Sequence, residues 1–406
     1  MTSQNNDTVD VVVSGGGIAG LIAAAAFGAS GFKALMIDPA QPVITGDEAS
    51  SDLRSTAFLR PARDLFQRIG IWDTLAPHAT PLEALRIVDT LPGEDGTPAV
   101  IRTERQFEGR ESGDEPFGWN FLNWVIRREL ARAVPDIPNV ELRYGVGFKS
   151  LFTRTSEARV TLTDGTTVRA KLVVAADGRN SPLRDAAGIG VKTTRYGQKS
   201  LAFTATHELP HHNVSTEIYR EGGPFTMVPL ADIDGKHASA IVWMNKGPYA
   251  TELLNMEVEA FNATMTARSA GLFGKLELAS GRGIFPIITQ LADQLSSERV
   301  AVIAEAAHVL PPIGAQGLNT SLNDLAELLA LAENDPAGLG GQTMLDAYAK
   351  TRHRDITARA KVVDVFNRVV RSEDDILRVV RLLGLKAVHD LRPVRRKVME
   401  AGLGPI

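Results

Sequence analysis

The chain has 406 residues, 44% hydrophobic and 23% charged, which is globular composition at a length beyond one ordinary core. Its formal net charge of −4 offers no general attraction to nucleic acid. It contains no cysteine, which excludes disulfides, thiolate zinc sites, cysteine-held iron–sulfur clusters and a cysteine nucleophile, and points to a reducing, cytoplasmic setting.

The opening MTSQNNDTVD lacks the basic region of a signal peptide, and no stretch is long and apolar enough to span a bilayer. Val9–Val13 is a β-branched run, the pattern of a strand buried on both faces. SGGGIAG follows, with Gly15, Gly17 and Gly20 in G-x-G-x-x-G spacing. Ile18 and Ala19 open an alanine-rich helical stretch to Phe27, and Lys33–Ile37 predicts a second strand that ends at Asp38. The order strand, glycine turn, helix, strand, acid is a dinucleotide-binding βαβ unit. Gly15 allows the tight turn, Gly17 lets backbone approach a pyrophosphate, and Gly20 lets helix and strand pack closely. The helix N-terminus offers free N–H groups to the phosphates, and Asp38 is placed for a ribose hydroxyl. The motif leaves FAD and NAD open. A second G-x-G-x-x-G is absent, so a further nucleotide would have no Rossmann domain of its own.

SDLRSTA (51–57) carries Arg54 and Ser55. The Arg54 guanidinium could fork onto a phosphate or carboxylate. A helix is expected over Pro61–Ile69, with proline in the first turn. Trp119–Ala133 predicts a helix bearing Arg127 and Arg128. Val140–Val146 and Val160–Leu162 alternate as strands, and Asp164-Gly165 marks a hairpin. LVVAADG then predicts a buried strand ending at Asp177-Gly178, with a turn at Arg179–Ser181 and a helix from Pro182. Asp177 stands at the carboxyl end of its strand, where open α/β sheets bind ligands.

From Lys199 to Met244 short alternating segments predict an antiparallel sheet in a second lobe. Phe203, Phe225, Met227 and Trp243 on it are either core or the lining of an apolar pocket. RVAVIA (299–304) is a further buried strand, with Glu305 at its carboxyl end. His308, Pro311 and Pro312 make a rigid loop, and Gly314, Ala315 and Gly317 clear side-chain bulk around Gln316. Leu318 precedes a helix over Asn319–Leu331, whose positive end would favour a ring that gains negative charge on reduction. The stretch is a platform for a planar redox cofactor. From Thr351 the pattern is helical, and Arg378, Arg381, Lys386, Arg392, Arg395, Arg396 and Lys397 interleave with aliphatics. That tail suits a solvated helix pair, an oligomer contact or an anionic lipid surface.

Gly15-x-Gly17-x-x-Gly20, Asp177-Gly178 and the strand-to-AAH-to-helix stretch resemble the fingerprints of class A FAD-dependent aromatic monooxygenases of the para-hydroxybenzoate hydroxylase fold. SDLRSTAF, Phe285–Ile287 and the FNRVV and RPVRRKVMEAGLG tail are most similar to the ubiquinone-biosynthesis branch, the 2-polyprenylphenol hydroxylases. The chain departs from the family pattern at Ala304-Glu305, where Gly-Asp is usual, at Gly314-Ala315 for Ala-Gly, at Ser321, and at Asp38, where glutamate is common.

The resemblance implies an α/β fold with a Rossmann-like FAD-binding domain of GR2 type, an inserted antiparallel-sheet substrate domain and a C-terminal helical segment. The corresponding boundaries are 1–85, 115–190 and 285–345 for the FAD domain, 86–114 and 191–284 for the substrate domain, and 346–406 for the helical segment. It implies FAD as cofactor, NAD(P)H and O₂ as co-substrates, and hydroxylation of a phenolic, prenylated ring through a flavin C4a-hydroperoxide. In that scheme Gly15, Gly17 and Gly20 hold the pyrophosphate, Asp38 the adenosine ribose, and Glu305 the ribityl chain. Arg54 and Arg127 flank the cofactor, Asp177 and Gly178 serve both FAD and NAD(P)H, and Pro312 to Asn319 flank the isoalloxazine. His308 is part of the loop scaffold, and no catalytic base or metal is assigned. A peripheral contact with the inner face of the membrane, or with a biosynthetic complex, falls to the basic tail. The alternatives are a hydroxylase of another aromatic and an accessory protein whose catalysis has eroded.

Overall fold

The structure is a computed structural model that describes residues 6–48, 50–91, 99–113, 115–220, 222–312 and 316–371. The β-branched run near the N-terminus nucleates the first layer. Strand Asn6–Ser14 pairs in parallel with Ala34–Asp38 on one side and Thr167–Ala175 on the other. Val140–Tyr144 adds in parallel beyond Ala34–Asp38, and Val300–Val302 beyond Thr167–Ala175. The first half of Thr167–Ala175 pairs with Glu157–Leu162 instead, antiparallel across the Asp164-Gly165 turn. Among the described residues this sheet has eight strands. Its central strands are apolar on both faces because helices cover both. One of those helices, Ile18–Ala29, is buried at every residue from Ile18 to Gly28, and its run of alanines lets it lie close to the sheet.

The second layer is a sheet of nine strands among the described residues. Neighbouring strands run antiparallel except Val214–Arg220 and Ala84–Leu91, which pair in parallel. Register fixes its two faces. Phe203, Ile218, Phe225, Met227, Ile241 and Trp243 point to one side, into a core closed by helices Gly247–Asn255 and Val258–Arg268. Phe225 meets Trp243 edge-on at 5.2 Å, and Phe203 meets Phe261 at 5.1 Å. Burial of side chains of this size stabilises by roughly 1.5–3 kcal/mol each. The four residues left between core and pocket in the sequence are therefore core. Their alternating neighbours face the other way and line a cleft.

A small sheet of Ser55–Leu59, Gly118–Leu122 and Thr80–Leu82 stands between the layers. It corrects the helix expected from Trp119. Gly118–Leu122 is a strand, because Trp119 and Phe121 alternate into the core beside Trp72, and the helix begins only at Asn123. The final helices, Gln316–Asn334 and Gln342–Arg371, pack on each other. The second begins nine residues before Thr351. Gly314, Ala315 and the basic residues from Arg378 onward lie outside the described residues. Among the described residues no helix is long and apolar enough to cross a membrane.

Candidate functional site

One cleft of about 1510 Å³ runs between the two layers. At one end lies the glycine loop. Gly15 has φ +112°, and a Cβ there would sit 2.4 Å from Ala176 O. A Cβ on Gly20 would sit 1.9 Å from Gly15 O, so Gly20 is a packing glycine behind the cleft wall. Gly17 differs, because a Cβ there would meet nothing within 4 Å. It opens directly onto the cleft, with Gly15, Ile18 and Ala19 beside it. The helix that starts at Ile18 has no side-chain cap and no acid in its first turn. Its leading N–H groups are free for an anion.

Asp38 closes the second strand and also lines the cleft. Its Oδ2 accepts from Gly16 N at 2.6 Å and its Oδ1 from Ala40 N at 2.8 Å. Arg127 lines the cleft too, and its Nε is buried with no hydrogen-bond partner among the described residues. The buried Tyr144 hydroxyl also has none. Burial pushes that phenol up to about 12; the Arg127 charge opposes the rise and the Asp38 charge adds to it. An orphaned arginine nitrogen, an uncapped helix end and an open glycine cradle fit the diphosphate of a dinucleotide.

Asp177 and Gly178 stand across the loop, on the cleft wall after Thr167–Ala175. Burial raises the Asp177 pKa, although Ser181 Oγ, Leu183 N at 3.2 Å and Ser14 Oγ at 3.3 Å all donate to it. Gly178 adopts φ +83°, which turns the chain sharply there.

The middle of the cleft is framed by Arg54, Ser55, Glu305, Pro312, Gln316 and Gly317, with Leu318 beside them. The Arg54 fork is already occupied. Its Nε and Nη2 donate to the two oxygens of Asp52 at 2.8 and 2.7 Å. Burial alone would raise the Asp52 carboxyl, but Arg54 and the Asn123 amide at 3.0 Å hold it below its ordinary range. Arg54 Nη1 lies 3.5 Å from Glu305, and its guanidinium stacks 4.9 Å over Phe285. Arg54 therefore presents a stacked, neutralised plane rather than a free fork. Asn319 does not line the cleft. Its amide latches the small sheet, donating to Ala57 O at 2.7 Å and accepting from Leu59 N at 3.0 Å.

His308 is buried at the edge of the cleft, and its ring is engaged by a carboxylate. Its Nε2 lies 2.6 Å from Asp324 Oδ2. Arg352 Nε donates to the other oxygen of Asp324 at 2.8 Å, and Asp355 joins Arg352 to Arg359. Arg359 Nη1 then donates to Gln316 Oε1 at 2.7 Å. This chain of charges ties the Ala304–Ala307 turn to both final helices.

The far end of the cleft is the second face of the nine-stranded sheet. Ile87, Glu217, Thr226, Val242 and Ala202 form one straight row across five strands. All line the cleft, as does Asn120, whose Nδ2 donates to Pro229 O at 2.9 Å and whose buried Oδ1 has no partner among the described residues. Val309, Leu310, Val362 and Val365 line the cleft as well, and the last two are 68% and 61% exposed. Sequence reading missed Asp52, Asn120, Asn123, Glu217 and Asp324. Glu217 alone left a signal, an acid inside the alternating strand TEIYR.

A family model described as FAD binding domain matches residues 8–362. The chain is similar to the ubiquinone hydroxylase UbiL of Rhodospirillum rubrum, 28% identical, covering 100% of this chain and 92% of that protein. It is also similar to the 3-demethoxyubiquinol 3-hydroxylase of Escherichia coli, 26% identical over 99% of this chain and 100% of that one. Among solved structures, p-nitrophenol 4-monooxygenase PnpA from Pseudomonas putida superposes with a TM-score of 0.76 at 17% identity, covering 98% of each chain. The flavin-dependent monooxygenase PieE, in complex with FAD and substrate, gives 0.70 at 20% identity over 98% of this chain and 71% of that one. These likenesses establish a shared fold.

Proposed function

This chain belongs to the FAD-binding domain family, and we propose that it is an FAD-dependent monooxygenase that hydroxylates a phenolic ring with NAD(P)H and O₂. The proposed substrate class is a polyprenylphenol of ubiquinone synthesis, a reading supported by the similarity to a ubiquinone hydroxylase, UbiL, and to a 3-demethoxyubiquinol 3-hydroxylase. The observation that carries the reading is one continuous cleft with a phosphate-binding glycine loop at one end and an apolar sheet wall at the other. FAD, when bound, would supply the redox chemistry between NAD(P)H and O₂.

In this reading the N–H groups beside Gly15, Gly17, Ile18 and Ala19 take the diphosphate, Arg127 adds charge, and Asp38 takes the ribose. Glu305, held by Arg54, takes the ribityl chain. Pro312, Gln316, Gly317 and Leu318 flank the flavin ring, with Gly314 and Ala315 in the same loop outside the described residues. Asp177 and Gly178 border the diphosphate and the NAD(P)H approach. Asn319 acts through its hydrogen bonds to the small sheet, and Gly20 through packing. The substrate ring lies against the sheet wall, where the apolar side chains exclude water, and a prenyl chain leaves past Val309, Leu310, Val362 and Val365. The division into 1–85, 115–190 and 285–345 for FAD and 86–114 and 191–284 for substrate follows the same logic. Peripheral membrane contact is assigned to the basic residues beyond Arg371 on composition.

The test is an absorption spectrum of the purified full chain with FAD, before and after NAD(P)H in air, with and without a prenylated phenol. Flavin bands near roughly 370 and 450 nm that bleach and recover, faster with the phenol and with hydroxylated product, are expected. A protein that will not take up FAD, or whose NAD(P)H oxidation ignores every phenol offered, overturns the reading.

A further inference from the structure

The sheet wall is built almost wholly from groups that cannot ionise. Strands Ala84–Leu91, Val191–His207, Val214–Arg220, Gly223–Ile233 and Lys236–Lys246 present Leu85, Ile87, Ser200, Ala202, Thr226 and Val242 to the cleft, among others. Glu217 is the one ionisable side chain that these strands contribute among the described residues. It stands between Ile87 and Thr226 in the row across the sheet. Tyr219, two residues on and therefore on the same face, donates its hydroxyl to Glu217 Oε2. Oε1 has no partner. The cations nearest this face do not line the cleft: Arg105 stands across Ile87, with Nη1 donating to Glu104 O at 2.8 Å and a buried Nε, Arg102 lies 3.8 Å from Asp89, and Lys246 stands at the far end of its strand.

An acid in an apolar wall, with no cation lining that wall among the described residues, is costly unless a ligand completes its hydrogen bonds. We propose that Glu217 is the polar anchor of the substrate ring: Tyr219 fixes Oε2, Oε1 holds the phenolic hydroxyl, and the acid confines the site to neutral phenols, excluding rings that carry a carboxylate. The inference rests on the phenol-hydroxylase reading above and names the group that selects within it. Burial raises the Glu217 carboxyl, with the Tyr219 hydrogen bond opposing. A ring carboxylate would have to shed its water into a wall with no cation and next to an acid. Asn120 Oδ1, buried on the same cleft without a partner, gives a second acceptor for a donor on the ring.

Two probes differ only by the carboxylate: 2-geranylphenol and 3-geranyl-4-hydroxybenzoate. Their binding to the FAD-loaded full chain is measured by calorimetry and by perturbation of the flavin spectrum. The wild type is expected to prefer the neutral phenol by about tenfold or more, the scale of one hydrogen bond to a chargeable group. Glu217→Leu is expected to lose about tenfold or more for the neutral phenol, because no other group on that row replaces the contact. Glu217→Gln keeps a polar partner and is expected to hold the neutral phenol within about threefold while narrowing the gap to the carboxylated ring. FAD affinity and the urea midpoint report folding of each variant. A Glu217→Leu protein that binds 2-geranylphenol as tightly as wild type overturns the anchor. So does a wild type that binds both rings equally. A wild type that takes up FAD yet binds neither ring, with no stimulated NAD(P)H oxidation, overturns the hydroxylase reading itself.

Discussion

His308 Nε2 and Asp324 Oδ2 lie 2.6 Å apart with side chains 1% and 0% exposed, and Asp324 is the acceptor on which the cleft floor turns. It takes His308 and Ala304 N on one oxygen and Arg352 on the other. Removing its charge leaves a buried arginine without its partner. Asp324→Asn is expected to lose about 3–5 kcal/mol of stability in urea unfolding, the range for breaking one side of a buried pair. The pH dependence follows in sign. Burial would raise the Asp324 carboxyl, yet His308 and Arg352 hold it below its ordinary value. A carboxyl lowered in the folded state contributes stability that is complete above its unfolded pKa of about 3.9 and fades as pH falls below it. Wild type should therefore lose stability steeply on acidification below about pH 4, and Asp324→Asn should show a flatter acid limb.

Ala304 opens this same turn with φ +55°. That left-handed conformation presses a Cβ against backbone and costs about 1–2 kcal/mol for a non-glycine residue. The strain explains why glycine suits the position. Ala304→Gly should stabilise the fold by about 0.5–1 kcal/mol, once the added freedom of the unfolded chain is subtracted. Paired urea curves, read by midpoint at constant slope, check it. A destabilised variant would mean that the Ala304 methyl contributes more by packing than its backbone loses.

The site was legible where it is local in sequence. The glycine loop, its helix and Asp38 fall within one βαβ unit, and each has a spacing that only that unit explains. The Asp177-Gly178 turn was legible for the same reason, because a buried run ends at an acid. Contacts across the chain were not. Asp324 reads as one more acid in an amphipathic helix, and Arg352 lies 28 positions away on another. Arg54 gives no hint that Asp52 already fills its fork. Period-two alternation marked the strands of the second sheet but not which face met the helices. Large aromatics drew attention to the core face, while the cleft face was built from Ala202, Thr226 and Val242.

Gly17 and Gly20 of the loop should separate under substitution. Gly17→Ala meets open space at an ordinary φ of −73°, so unfolding of the flavin-free chain should stay within about 0.5 kcal/mol of wild type. FAD affinity should nevertheless drop by about tenfold or more, because the methyl occupies the approach to the helix N–H groups and displaces a charged hydrogen bond. Gly20→Ala should lose stability first, since its Cβ would overlap Gly15 O. Calorimetric titration of FAD beside urea unfolding distinguishes the two. Equal loss of both properties in both variants would refute the division of roles.

Neighbouring residues on one strand should behave as opposites. Trp243 is 1% exposed, packs on Phe225, and belongs to the core under the two helices. Trp243→Ala should cost about 3–5 kcal/mol by leaving a cavity there. Val242 faces the cleft in the row with Glu217 and Thr226. Val242→Phe adds its bulk to open space, so stability should change by no more than about 0.5 kcal/mol. The ring would instead narrow the wall where the substrate is proposed to lie. Binding of a prenylated phenol should weaken severalfold, while FAD affinity, set at the other end of the cleft, stays as in wild type. If Val242→Phe lowers FAD affinity and leaves phenol binding intact, the cleft is divided the other way, with cofactor against the sheet wall and substrate toward the glycine loop.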